Sequence, residues 1–211
     1  MMNHHMMFGV PLFRYHLDPT KLKQIAEERF SDNKDLPLDH SPSYWDCDMK
    51  TDFHSSRANK YNDFYNDVLD EFGKDVGLTD AYPTIHESWL NMYTKGMNQE
   101  EHDHLPSFYS AVHFVKFNPK VHESVYLINP LHQLYNATYS CAAACRNAES
   151  ALDAHEFTKQ FHLPDIVEGD IIIFPSFLRH RVNTQKSDET RITLAFNINT
   201  LQGSVRRVFG Q

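Results

Sequence analysis

The chain has 211 residues, 41% of them hydrophobic and 13% aromatic, with a formal charge of −8 and a pI of about 5.9. That is enough apolar material for one packed core, and an acidic balance with no basic face argues against recognition of nucleic-acid phosphates. No apolar run approaches the roughly 18 residues of a membrane span, and Met1 to Met7 lack the charged-then-apolar layout of a signal peptide, so a cytosolic protein is expected, in the host cytosol if the source is a virus. Cys47, Cys141 and Cys145 form an odd set that argues against a disulfide framework, and the last two read as small buried thiols in an Ala-rich turn.

In chain order, Met7 to His16 reads as a strand, and Asp18-Pro19 caps a helix with Leu22, Ile25, Ala26 and Phe30 on one face. After a polar loop, Tyr61, Phe64, Tyr65, Val68, Leu69, Phe72 and Val76 keep helical spacing and predict a second amphipathic helix. From Pro83 the texture changes to short β-rich runs: Thr84 to Lys95, Phe108 to Phe117, Ser124 to Asn129, Gln133 to Tyr139, Asp170 to Phe174 and Arg191 to Thr200. Helices followed by many short strands predict an α+β domain whose helices buttress one sheet of a β-sandwich or jelly roll. One domain is expected over 1–211, with a strand and helices in 1–82 and the β core in 83–205.

With fourteen histidines in the chain, a His-x-His spacing arises roughly once by chance, so His102-Asp103-His104 means little by itself. Its company carries the signal. Upstream, Trp89, Asn91 and Tyr93 alternate onto one face of a strand, and Gly96 permits a turn before His102 and His104, again two apart. Later, Gly169-Asp170 opens an apolar strand that ends at Pro175, with His180 just beyond and Arg191 eleven residues after that. Folding of Asn183 to Glu189 as a hairpin loop would set His180 and Arg191 on neighbouring strands, with Asn91 and Tyr93 on a facing one.

In the last strand Arg191, Thr193, Ala195 and Asn197 alternate with Ile192, Leu194, Phe196 and Ile198. The greasy face can lie under the helices, while an inward Arg191 needs an anion. Three imidazoles beside such an arginine make a metal site with a carboxylate pocket; open imidazole-rich sites suit Fe(II), Zn or Ni, and the pocket favours a chelating 2-oxo acid on iron. His113, His122, His132 and His162 are read as ordinary core or surface residues.

The order Asn91-x-Tyr93-x2-Gly96-x5-His102-x-His104, then Phe174-Pro175-Ser176-x3-His180, then Arg191-x-Thr193 resembles the 2-oxoglutarate/Fe(II)-dependent oxygenases. Within that superfamily it is similar to phage and bacterial oxygenases that share Met7-Phe8-Gly9-Val10-Pro11 and Glu87-Ser88-Trp89; the match is specific from Glu87 to Asn197. The resemblance implies a double-stranded β-helix (cupin-like jelly roll) in which His102 and His180 bind iron. It implies that Arg191 pairs with the distal carboxylate of 2-oxoglutarate, helped by Thr193, and that Asn91 and Tyr93 touch the same co-substrate. The implied reaction is hydroxylation or oxidative demethylation of an organic or peptidyl substrate with dioxygen.

Most members carry His-x-Asp/Glu where this chain has His102-x-His104. With His104 as third ligand, the iron site gains one positive charge over the usual triad, and a halogenase, which leaves that position open for chloride, is disfavoured. Asp103 points to the opposite face unless the strand bulges. Two further readings stand beside this one: a three-histidine cupin-type dioxygenase without 2-oxoglutarate, and a non-catalytic metal-binding jelly roll. Oligomeric state is open, a homodimer included.

Overall fold

This computed structural model describes residues 9–32, 49–52, 61–132, 161–162 and 165–202. Asp18 starts the first helix, α1 (Thr20–Asp32): its carboxylate accepts from the Thr20 amide at 3.0 Å and from the Thr20 hydroxyl at 2.6 Å. Leu22, Ala26 and Phe30 then fall on its buried face, as their spacing predicts. The second expected helix is divided. A 3-10 turn (Asn62–Tyr65) leads into α2 (Asn66–Asp75), the break falling at Tyr65, whose backbone (φ −112°, ψ 5°) leaves the α region. The apolar periodicity survives the break, since Tyr61, Tyr65, Val68, Leu69 and Phe72 all enter one core.

The strands are β1 (Phe13–His16), β2 (Lys50–Thr51), β3 (Ala81–Tyr93), β4 (Gln99–His102), β5 (Tyr109–Lys116), β6 (Val125–Ile128), β7 (Phe161–His162), β8 (Asp170–Pro175), β9 (His180–Val182) and β10 (Arg191–Gln202). From β3 onward the chain crosses repeatedly between two sheets. The larger has the order β1-β8-β5-β10-β3-β2 and the smaller β4-β9-β6-β7, and all paired neighbours are antiparallel. This is the expected double-stranded β-helix, a jelly roll of α+β class with helices on one sheet. The segment Gln133 to Tyr139 and the three cysteines lie outside the described residues.

Alternation along β10 sorts the two sides of the larger sheet. Ile192, Leu194, Phe196 and Ile198 join Ile171 and Ile173 of β8 against the helices. On the other face, Phe114, Ile172 and Phe174 meet Val125, Leu127 and Leu178 between the sheets. β8 is therefore buried on both faces, which explains its unbroken apolar run.

Two expectations are corrected here. His180 and Arg191 do not flank a hairpin: β9 pairs with β4 and β6 in the small sheet, whereas β10 pairs with β3 and β5 in the large one. The connection crosses between sheets because Gln185, 2% exposed, is pinned to the β3–β4 turn. Its amide donates to Met97 O at 2.8 Å, its carbonyl accepts from Gly96 N at 2.9 Å, and its side-chain oxygen accepts from Glu123 N at 3.0 Å. Nor do Asn91 and Tyr93 face Arg191 from across the barrel; they are its neighbours, with Tyr93 opposite Arg191 and Asn91 opposite Thr193 in the β3–β10 register.

Candidate active site

His102 ends β4 and His180 begins β9, directly opposite one another in the antiparallel register. His104 lies past the end of β4, so strand alternation does not aim it. Its amide donates to Ser176 O at 3.0 Å, and that tie holds it beside the turn preceding His180. The ring centroids are 4.9 Å (His102–His104), 4.3 Å (His102–His180) and 5.1 Å (His104–His180) apart, and one nitrogen from each ring lies within 4.8 Å of the other two. Asp103 stays outside the cluster and accepts from Leu105 N at 3.2 Å.

Two of the rings have their tautomers set by the main chain. His102 Nδ1 faces Glu100 O at 2.8 Å, and His180 Nδ1 faces Leu178 O at 3.1 Å. A carbonyl accepts only, so each Nδ1 carries the proton and each Nε2 lone pair turns inward. Burial pushes all three imidazoles below their usual range, with mutual repulsion as a smaller contribution for His104 and His180; His104 falls to about 3. They are therefore neutral, the form a metal requires.

Arg191, 1% exposed, lines the same cavity. Its guanidinium carbon lies 4.7 Å from the Tyr93 ring centroid, 5.6 Å from Phe114 and 5.9 Å from Phe117. Burial pulls it below its usual value, with Tyr93 opposing. Its Nε and Nη1 atoms have no hydrogen-bond partner among the described residues. Asp170 and Glu168 have partners of their own: Asp170 holds Arg14 at 2.6 Å and Val167 N at 2.8 Å, and Glu168 holds Lys23 at 2.9 Å and Phe117 N at 3.0 Å. A buried guanidinium left in this state costs several kcal/mol and calls for an anion.

Thr193, Asn91 and Tyr93 line the cavity with Arg191, as their positions predict. The Asn91 amide has work of its own. In its hydrogen-bonded orientation the oxygen accepts from Trp89 Nε1 at 3.2 Å and the nitrogen donates to Thr51 Oγ1 at 2.9 Å, which braces Trp89, whose ring centroid is 5.6 Å from that of His104. His113 and His122 stand apart, as expected: the first meets Tyr65 Oη at 2.9 Å, the second Asn118 N at 3.0 Å and Glu189 O at 3.0 Å.

Sequence reasoning missed Gln99. Strict alternation from His102 turns Gln99 outward, but a bulge between the two residues brings it into the cavity. It accepts from Tyr93 Oη at 2.9 Å and approaches His102 Nε2 at 3.3 Å through its own Nε2. Free space among these side chains is about 20 Å³, room for one water. A hollow of about 700 Å³ elsewhere, between Val10, Pro11, Phe108, Leu131 and Phe177, has no histidine, acid or base in its lining, so size does not mark the site.

A protein-family model described as "Putative 2OG-Fe(II) oxygenase" matches residues 87–197, more than half of the chain. The chain belongs to this family. The 2OG-Fe(II) oxygenases take Fe(II) as cofactor and 2-oxoglutarate as co-substrate, and the three-histidine group and the anion-seeking Arg191 lie inside the matched span. Solved structures agree on the fold. AviO1 from Streptomyces viridochromogenes Tue57 is similar with a TM-score of 0.59 at 11% identity, over 90% of this chain and 89% of its own. A Pseudomonas putida prolyl-4-hydroxylase gives 0.55 at 12%, over 90% and 92%. The viral collagen prolyl hydroxylase of Paramecium Bursaria Chlorella virus-1, as its 2OG complex, gives 0.52 at 11%, over 89% and 94%. No curated protein matches the chain by sequence. No helix among the described residues is long and apolar enough to cross a membrane.

Proposed function

We propose that this oxygenase holds Fe(II) on His102, His104 and His180 and seats 2-oxoglutarate with its distal carboxylate on Arg191, beside Thr193, Tyr93 and Asn91. One observation carries this reading: a fully buried guanidinium, with two nitrogens unpartnered, opens into the cavity that the three imidazoles share. The planar fork of Arg191 fits a carboxylate through two parallel hydrogen bonds. The residues therefore suit both groups.

When bound, iron and co-substrate supply the oxidative chemistry: dioxygen and 2-oxoglutarate are consumed, succinate and carbon dioxide leave, and one oxygen atom passes to the substrate. The chain's own contribution is placement and exclusion. Main-chain carbonyls of Glu100 and Leu178 keep the Nε2 atoms of His102 and His180 unprotonated. Phe174, Val125 and Val182 wall the cavity with apolar surface and keep bulk water out. Trp89, held by Asn91, closes the side next to His104.

We read the chain as one domain, with β1, α1 and α2 as the support of the larger sheet. Its further partners are dioxygen and an organic or peptidyl substrate; the charge of −8 argues against nucleic acid. A reducing, cytosolic setting fits the same reading.

The test is Arg191→Met. Metal affinity should be retained, while 2-oxoglutarate binding to the Mn(II)-loaded protein, followed by calorimetry, should weaken by about 2–5 kcal/mol, the usual loss when one member of a buried charge pair is removed. Unchanged 2-oxoglutarate affinity would refute the assignment.

A further inference from the structure

Three side chains, Tyr93, Gln99 and His102, form a directed hydrogen-bond relay across the cavity. The Arg191 guanidinium lies over the Tyr93 ring, its carbon 4.7 Å from the ring centroid. The phenol proton goes to Gln99 Oε1, 2.9 Å away. That fixes the amide orientation and leaves Gln99 Nε2 facing His102 Nε2 at 3.3 Å, where the unprotonated ring nitrogen accepts. The relay thus runs from the ring beneath Arg191 to His102, a candidate metal ligand.

Metal binding breaks its last link. The Nε2 of a neutral imidazole has one lone pair, which cannot serve an amide N–H and a metal ion together. The displaced N–H is half-buried, in a cavity with room for one water, so it needs a new acceptor nearby. With a metal on His102, the acceptors that would come within reach are the metal's oxygen ligands.

We propose that Gln99 is a positioning residue that passes its amide N–H from His102 Nε2 to a co-substrate oxygen on the metal, so that metal binding and 2-oxoglutarate binding are coupled through it. The inference rests on the assignment of His102 as a ligand and Arg191 as the carboxylate anchor. Without metal, Gln99 satisfies the inward nitrogen of His102. With metal, the same amide, still held through Oε1 by Tyr93, donates to the chelating end of the co-substrate while Arg191 holds the distal end.

Two dicarboxylates separate this role from plain packing. Both 2-oxoglutarate and glutarate offer Arg191 a distal carboxylate, but glutarate lacks the 2-oxo group and does not form the chelate. Gln99→Leu, and Gln99→Met as a second variant of native length, should bind Mn(II) alone at least as tightly as the unaltered protein, because a competitor for His102 is gone. Their affinity for 2-oxoglutarate in the Mn(II) form should fall about tenfold to a hundredfold, the worth of one hydrogen bond to a charged group, while glutarate affinity stays within about threefold. Full 2-oxoglutarate affinity in both variants, or equal loss of both dicarboxylates, overturns the role of Gln99 and leaves the site assignment standing. An unaltered protein without metal-dependent 2-oxoglutarate binding sinks the site assignment and this inference together.

Discussion

The two sheets of this jelly roll divide the labour unevenly. The larger sheet is built on long strands, has the helices packed on its outer face, and presents Arg191, Thr193, Asn91 and Tyr93 on its inner one. The smaller sheet is built on strands of two to four residues and carries the metal-ligand candidates at strand ends and in a turn. The lesson is that the proposed anion pocket is made by side chains of a sheet packed on both faces, whereas the imidazoles depend on main-chain ties: His102 on Glu100 O, His180 on Leu178 O and His104 on Ser176 O.

The largest effects should come from cutting into each support in turn. Phe196, fully buried with its ring centroid 4.5 Å from that of Tyr65, belongs to the core beneath the helices. Phe196→Ala should lower unfolding free energy by about 3–5 kcal/mol in urea titration, with metal affinity of the folded protein retained. Leu127 lies opposite His180 in the small sheet and packs between the sheets. Leu127→Ala should cost about 2–5 kcal/mol and also weaken Mn(II) binding, measured in the same samples. If both variants kept full metal affinity, the proposed dependence of the ligands on the small sheet would be wrong.

A pH effect sharpens the contrast on the buttressed side. Burial pushes His113 down to about 4, against an ordinary value near 6.5. The unfolded chain therefore takes up a proton first as pH falls: the stability contribution is complete above about 6.5 and is lost between about 6.5 and 4, by up to about 1.4 kcal/mol per pH unit. In His113→Phe the fall of melting temperature over that window should be shallower by one proton. Equal slopes would show that His113 is protonated in the folded state.

Much of this arrangement is legible in the residues because a strand has a period of two. The greasy and polar faces of β10, the inward Arg191 and Thr193, and the shared face of Trp89, Asn91 and Tyr93 all follow from alternation. What escapes it is whatever breaks the period or changes sheet. Spacing between His180 and Arg191 does not say that Gln185 ties their connection to Gly96 and Met97 and so sends β10 into the other sheet. The bulge that turns Gln99 inward has no glycine or proline to announce it, and His104 reaches the cluster through a tie to Ser176 rather than through the pleat.

Smaller effects are expected at two glycines of positive φ. Gly169 (φ +91°), in the turn before β8, accepts from Leu17 N just past β1, and a Cβ there would lie 2.6 Å from His16 Cε1 and 3.0 Å from Leu17 O. Gly96 (φ +88°), in the turn that feeds the small sheet, has nothing within 4 Å of such a Cβ. Gly96→Ala should thus cost only the left-handed conformation, about 1–2 kcal/mol. Gly169→Ala should cost more, because the neighbours must also move; equal losses in thermal unfolding would mean that His16 gives way freely.

The tie between His104 N and Ser176 O has a consequence for how the site reports on itself. Ser176 also donates its amide to Phe108 O, so the turn before His180 and the segment after His104 are laced together on both sides of one residue. With His104 and His180 on one ion, as proposed, the two imidazoles would clamp that lacing from within. The amide protons of His104 and Ser176 should therefore exchange with solvent deuterium far more slowly once Mn(II) is added, which makes two backbone positions a gauge of occupancy that needs no substrate and no turnover.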